Sequence, residues 1–145
     1  MKHHLPGLHR QSQNASSPPE GLYLVRVEGA SYRYHPQKPF FLLRFAILEP
    51  TEQAGPSFTG RLYCTEKALW KLNWFLRDFG YDSELLGQDE VDEKALAGLR
   101  GIVKVSHTQL NGRSYLNLEG FAPASQWEEL SVAAIAESQE ASNDL

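Results

Sequence analysis

The sequence predicts a mainly β domain of five short strands, with one helix set between the third and the fourth. Three features point to it. Five segments carry the alternating apolar pattern or the aromatic and β-branched content of half-buried strands. One stretch, from Thr65 to Gly80, carries apolar residues at helical spacing. Asn111-Gly112 separates the last two strand-like runs, and both residues tolerate the positive φ of a tight hairpin turn.

The elements follow in order. Between Gly21 and Gly29, Tyr23, Val25 and Val27 share one face, and Arg26 and Glu28 the other. Residues 30–39 read as a loop of unusual aromatic and basic content. Residues 40–49 form the second strand. With Arg44 facing water, Phe41, Leu43, Phe45 and Ile47 point inward, and Phe40 and Leu42 lie outside. Residues 50–59 are a turn-rich connection. Residues 60–64 form a short third strand, with Leu62 and Cys64 inward and Arg61 and Tyr63 outward.

The helix comes next. Thr65 is a good N-cap, and Gly80 can stop a helix in the left-handed conformation. Ala68, Leu69, Leu72, Phe75, Leu76 and Phe79 fall on one broad face. Trp70 and Trp74 sit beside it and either seal the core edge or form an exposed aromatic pair. Residues 81–93 carry six acids and no base, which reads as a solvated loop, and residues 94–100 as a helical turn. Residues 101–109 are the fourth strand, with Val103, Val105 and, less clearly placed, His107 on one face. Residues 113–121 are the fifth, with Leu116 and Leu118 opposite Tyr115 and Asn117. Ser125-Gln126-Trp127-Glu128 has the form of a capping box opening a short helix.

Strand, strand, strand, helix, strand, strand is the layout of the OB-fold, a partly open five-stranded barrel. The organisation expected is a flexible arm over 1–20, an OB-fold-like domain over 21–121, and a short helix with an acidic tail over 122–145. The arm is polar and proline-rich, which disfavours folding. It lacks the apolar segment of a signal peptide, and no apolar run in the chain approaches the roughly 20 residues of a membrane span. Cys64 is the single cysteine, so no internal disulfide framework forms. A cytoplasmic location is expected.

Enzyme motifs are missing. The chain has no Gly-rich phosphate loop, no nucleophile elbow, and no histidine–carboxylate pair at motif spacing. Cys64 and His107 could in principle form a thiol–imidazole pair, but Cys64 falls on the inward phase of its strand, where a small buried thiol is the commoner case. His3, His4 and His9 lack nearby carboxylate or cysteine partners. Asp89, Asp92 and Glu93 do not match a calcium loop. No catalytic residue, cofactor or metal is expected.

The run Gly21-Leu22-Tyr23, residues 40–48, Gly60-Arg61, the aromatic helix, residues 101–105, Asn111-Gly112 and Tyr115-Leu116-Asn117 resembles a family of small phage and mobile-element proteins. These are taken to be single-stranded DNA-binding proteins of OB type. The resemblance spans about residues 21–121 and implies a role in DNA replication or recombination. The acidic tail is similar in kind to tails that recruit replication and recombination proteins. It lacks the phenylalanine-bearing end of the usual bacterial docking peptide.

Charge distribution agrees with a nucleic-acid partner although the net charge is −4. Residues 26–77 carry eight cations against four acids, while the acids concentrate in 81–93 and after residue 121. Single strands are held by cations along the backbone and aromatics under the bases. The expected binding set is Tyr32, Arg33, Tyr34, Lys38, Phe40, Arg44, Arg61 and Tyr63, with Arg113 and Tyr115 from the last hairpin. Tyr34 is the first choice, being mid-loop between Arg33 and His35. The expected ligand is single-stranded DNA, with RNA not distinguished and self-association left open. The alternative is a protein-binding OB module whose same face takes a peptide or subunit.

Overall fold

The computed structural model describes residues 2–4 and 17–133. The arm expected over residues 5–16, with His9, and the acidic tail over 134–145 lie outside the described residues. Five strands form one antiparallel sheet: β1 (Gly21–Arg33), β2 (Phe40–Glu49), β3 (Ser57–Tyr63), β4 (Arg100–Leu110) and β5 (Arg113–Pro123). Their spatial order is β3-β2-β1-β4-β5. The sheet is open, with β3 and β5 as its edges, and does not close into the OB-fold-like barrel expected. Side chains span the seam in place of a ladder. Gly60 of β3 faces Leu118 of β5 so closely that a Cβ on Gly60 would stand 2.7 Å from Leu118 Cδ1.

The inward phase of β2 is as expected. Phe41, Leu43, Phe45 and Ile47 are buried with Tyr23, Val25 and Val27 of β1 and Val103 and Val105 of β4. At Asn111-Gly112 both residues take positive φ, 53° and 76°, as the hairpin requires.

β1 runs on through Arg33, so Ala30–Arg33 is strand and not loop. A bulge between Val27 and Gly29 shifts its phase. Beyond it Ala30 and Tyr32 pair with the inward residues Leu43 and Phe41, and Ser31 and Arg33 with Leu42 and Phe40. β3 starts three residues early, at Ser57, and Cys64 lies just past its end.

The helix α1 spans Leu69–Asp78 and follows a 3-10 turn at Glu66–Ala68. Thr65 does not cap it through its side chain; its carbonyl accepts from Ala68 N–H at 2.9 Å, which closes the tight turn ahead of the helix. That turn advances about 120° per residue instead of 100°, and Leu69 ends up exposed. Leu72, Phe75, Leu76 and Phe79 are buried as expected. Gly80, at φ 80°, stops the helix: its N–H donates to Arg77 O at 3.2 Å, and Tyr81 N–H donates to Leu76 O at 2.9 Å. Phe79 fills the space beside Gly101, where a methyl would overlap its ring.

The acidic segment is no simple loop. Asp82 caps a short helix, α2 (Ser83–Gly87), and Asp92 caps α3 (Glu93–Leu96). Acids at these positions accept orphan helical N–H groups. Tyr81 ties the segment down, its hydroxyl donating to Glu90 O at 3.0 Å and accepting from Asp92 N–H at 2.8 Å. After β5 a 3-10 turn at Ala124–Gln126 leads into helical residues 127–133. Ser125 lies inside that turn and not at a cap, since Pro123 already occupies the entry.

The end of the expected arm is docked. Pro18 is buried, and its carbonyl accepts from His107 Nε2–H at 2.6 Å. Pro19 O accepts from the Tyr23 hydroxyl at 2.6 Å. Among the described residues no helix is long and apolar enough to cross a membrane.

Candidate nucleic-acid interface

The outer face of the first three strands carries the aromatic and basic residues. Antiparallel register sets Arg33, Phe40 and Tyr63 in one row and Ser31, Leu42 and Arg61 in the next. Phe40 and Tyr63 lie with ring centroids 5.6 Å apart. Arg61 reaches diagonally over Phe40, its guanidinium carbon 4.6 Å from the ring centroid. Lys38 Nζ stands 5.7 Å from the Tyr63 centroid. Both separations are within the reach of cation–π attraction. The turn that presents Lys38 is ordered by His35, whose Nδ1 accepts the N–H groups of Gln37 at 3.2 Å and Lys38 at 3.1 Å.

Beside this cluster runs a groove of about 770 Å³ along the open seam. Arg61 and Tyr63 stand on the β3 wall, and Tyr115 and Asn117 on the β5 wall. Lys71 of α1 enters from the helix end, and Leu118 and Gly60 make the floor. Asn117 is held in place, its Nδ2 donating to Thr108 Oγ1 at 2.6 Å. The groove thus has an aromatic ring and hydrogen-bonding groups on both walls and two cations along it.

The predicted residues divide. Arg33, Lys38, Phe40, Arg61 and Tyr63 come together on the outer face, and Tyr115 joins across the groove. Tyr32 does not, because the β1 bulge turns it to the core side. There it packs edge-on to Phe41 at 5.4 Å, and its backbone N–H donates to Glu93 Oε2 at 2.9 Å. Arg44 is on the outer face but engaged: its Nε is 3.1 Å from Glu28 Oε2, and Glu28 Oε1 also accepts from Ser57 Oγ. Tyr34, 78 % exposed, lies on the β1–β2 turn and does not line the groove. Arg113 sits at the tip of the β4–β5 hairpin, opposite Leu110. Lys71 and Asn117 are not among the residues expected from the sequence. Strand phase, which sets Asn117 on the face of Tyr115, is the sequence signal that could have found Asn117.

The thiol–imidazole pair does not form. The nitrogens of His107 lie against Pro18 O and, at 3.5 Å, Ser114 Oγ. Cys64 is half-buried. Burial pushes its thiol up from the ordinary value, against a smaller lowering by a backbone hydrogen bond at Phe41.

No protein-family model matches this chain, and no curated protein matches it.

Proposed function

We propose that this protein binds single-stranded nucleic acid with little sequence preference, single-stranded DNA first, and is akin to the phage and mobile-element binders its sequence resembles. The observation that carries this is the groove between β3 and β5, lined by Tyr63 from one edge strand and Tyr115 from the other together with Arg61 and Lys71. Unpaired bases stack on such rings whatever their identity, and the cations follow the phosphates. A duplex keeps its base faces covered and gains only the cations.

The strand order supports reading the sheet as an OB barrel opened along its β3–β5 seam, with α1 between β3 and β4. In that fold the face of the second and third strands, with the first and last hairpin loops, takes oligonucleotides. A role in replication or recombination follows from that ligand. The acids after Phe121 are suited to recruiting a protein partner and not to holding the strand.

Fluorescence anisotropy with a labelled unstructured oligonucleotide tests the reading. Arg33, Lys38, Arg61 and Lys71 together predict a log–log salt slope near −3, at about −0.7 for each phosphate neutralised. Equal affinity for duplex and single strand, or no binding at low salt, overturns it.

A further inference from the structure

The helix carries an aromatic shelf outside the groove. Trp74 is fixed on three sides. Its Nε1–H donates to Asp78 Oδ2 at 2.8 Å, its ring meets Phe121 edge-on at 5.7 Å, and a Cβ on Gly120 would come within 3.0 Å of its Cη2. Trp70, one turn earlier, lies nearly parallel to it, at 24° with centroids 6.2 Å apart. Trp70 is 63 % exposed. A held ring therefore supports a second ring that is open to solvent.

Charge tells what the shelf suits. Trp70, Lys71 and Trp74 are linked by three- and four-residue spacings, so they share one flank of α1, and Lys67 stands in the 3-10 turn that leads into it. Lys71 also lines the groove, which joins the two surfaces. Asp78, the acid beside Trp74, is already engaged by Trp74 and by Arg77 at 3.2 Å. Cations alternating with an exposed indole fit an anionic chain of planar groups better than an apolar peptide.

We propose that Trp70 is a second stacking station for the same single strand, reached as the strand leaves the groove past Lys71. This rests on the groove reading above. The test compares the parent with Trp70→Ala, Trp70→Leu and Trp70→Phe on oligothymidylates of about 4 and about 12 nucleotides, both within the range of about 4–16 for one such domain. The short oligonucleotide occupies the groove alone. Trp70→Ala should weaken the long one about tenfold and leave the short one unchanged. Phenylalanine should restore most of the loss and leucine should not, because stacking and not bulk is at stake. Parental affinity of Trp70→Ala or Trp70→Leu for the long oligonucleotide overturns the station while leaving the groove intact. So does an equal loss on both lengths. If the parent binds neither oligonucleotide, the groove reading falls and the station with it.

Discussion

Arg61 lies over Phe40 although the two are not direct cross-strand partners; Phe40 pairs with Tyr63, and Arg61 with Leu42. The diagonal reach sets the guanidinium of this groove-lining arginine over a ring. An arginine so placed has little freedom left to lose on meeting a phosphate. Arg44, four residues beyond Phe40 on β2, is tied to Glu28. Arg61→Ala should therefore flatten the salt slope of single-strand binding by about 0.7, the share of one phosphate contact. Arg44→Ala should leave the slope near the parental value. A slope unchanged by Arg61→Ala in the same titrations would remove Arg61 from the interface.

Base–aromatic stacking contributes about 1–3 kcal/mol per ring by alanine substitution. Tyr63→Ala and Tyr115→Ala should each weaken binding about thirtyfold, the middle of that range. Tyr34→Ala should cost less, because the ring does not line the groove. Anisotropy titrations on the three variants rank them directly. A larger loss at Tyr34 than at Tyr63 would move the platform to the β1–β2 turn.

The seam makes a stability prediction. Gly60→Ala puts a methyl 2.7 Å from Leu118 Cδ1, closer than real side chains approach. Overpacking of this kind costs about 1–3 kcal/mol. Leu118→Ala alone opens a cavity and should cost about 2–5 kcal/mol. The double variant should be more stable than the sum of the two predicts, since each change relieves the other. Urea melts of the four proteins give the coupling. Strict additivity would mean that β3 and β5 are further apart than described.

Leu72 is 6 % exposed on the buried flank of α1. Leu72→Ala should destabilise the protein by about 2–5 kcal/mol through lost burial and the cavity left behind. A shift under about 0.5 kcal/mol in a denaturant melt, the range of an ordinary surface change, would mean that this helix face is not packed against the sheet.

Features that depend on near neighbours in the chain are legible in the sequence by itself. The alternation of Phe41, Leu43, Phe45 and Ile47, the buried stripe of Leu72, Phe75, Leu76 and Phe79, the stop at Gly80 and the turn at Asn111-Gly112 all stand where expected. Each depends on side-chain periodicity or on the φ a residue tolerates, which belong to a few adjacent residues. The candidate site is legible in its ingredients, since strand phase alone puts Phe40, Arg61, Tyr63 and Tyr115 on outward positions.

Tertiary structure decided the rest. One bulge, between Val27 and Gly29, moved Tyr32 to the core side and left Arg33 outside. Pairing of β1 with β2 sets it, and a one-residue slip exchanges the faces of every residue beyond. Glu28 captured Arg44 from another strand, and Asp82 and Asp92 became helix caps in a segment that composition alone describes as a solvated loop. The meeting of Lys71, Tyr63 and Tyr115 depends on how far the edges β3 and β5 stand apart. That separation is set by Leu118 packing over Gly60, residues far apart in sequence that meet only when the sheet curves.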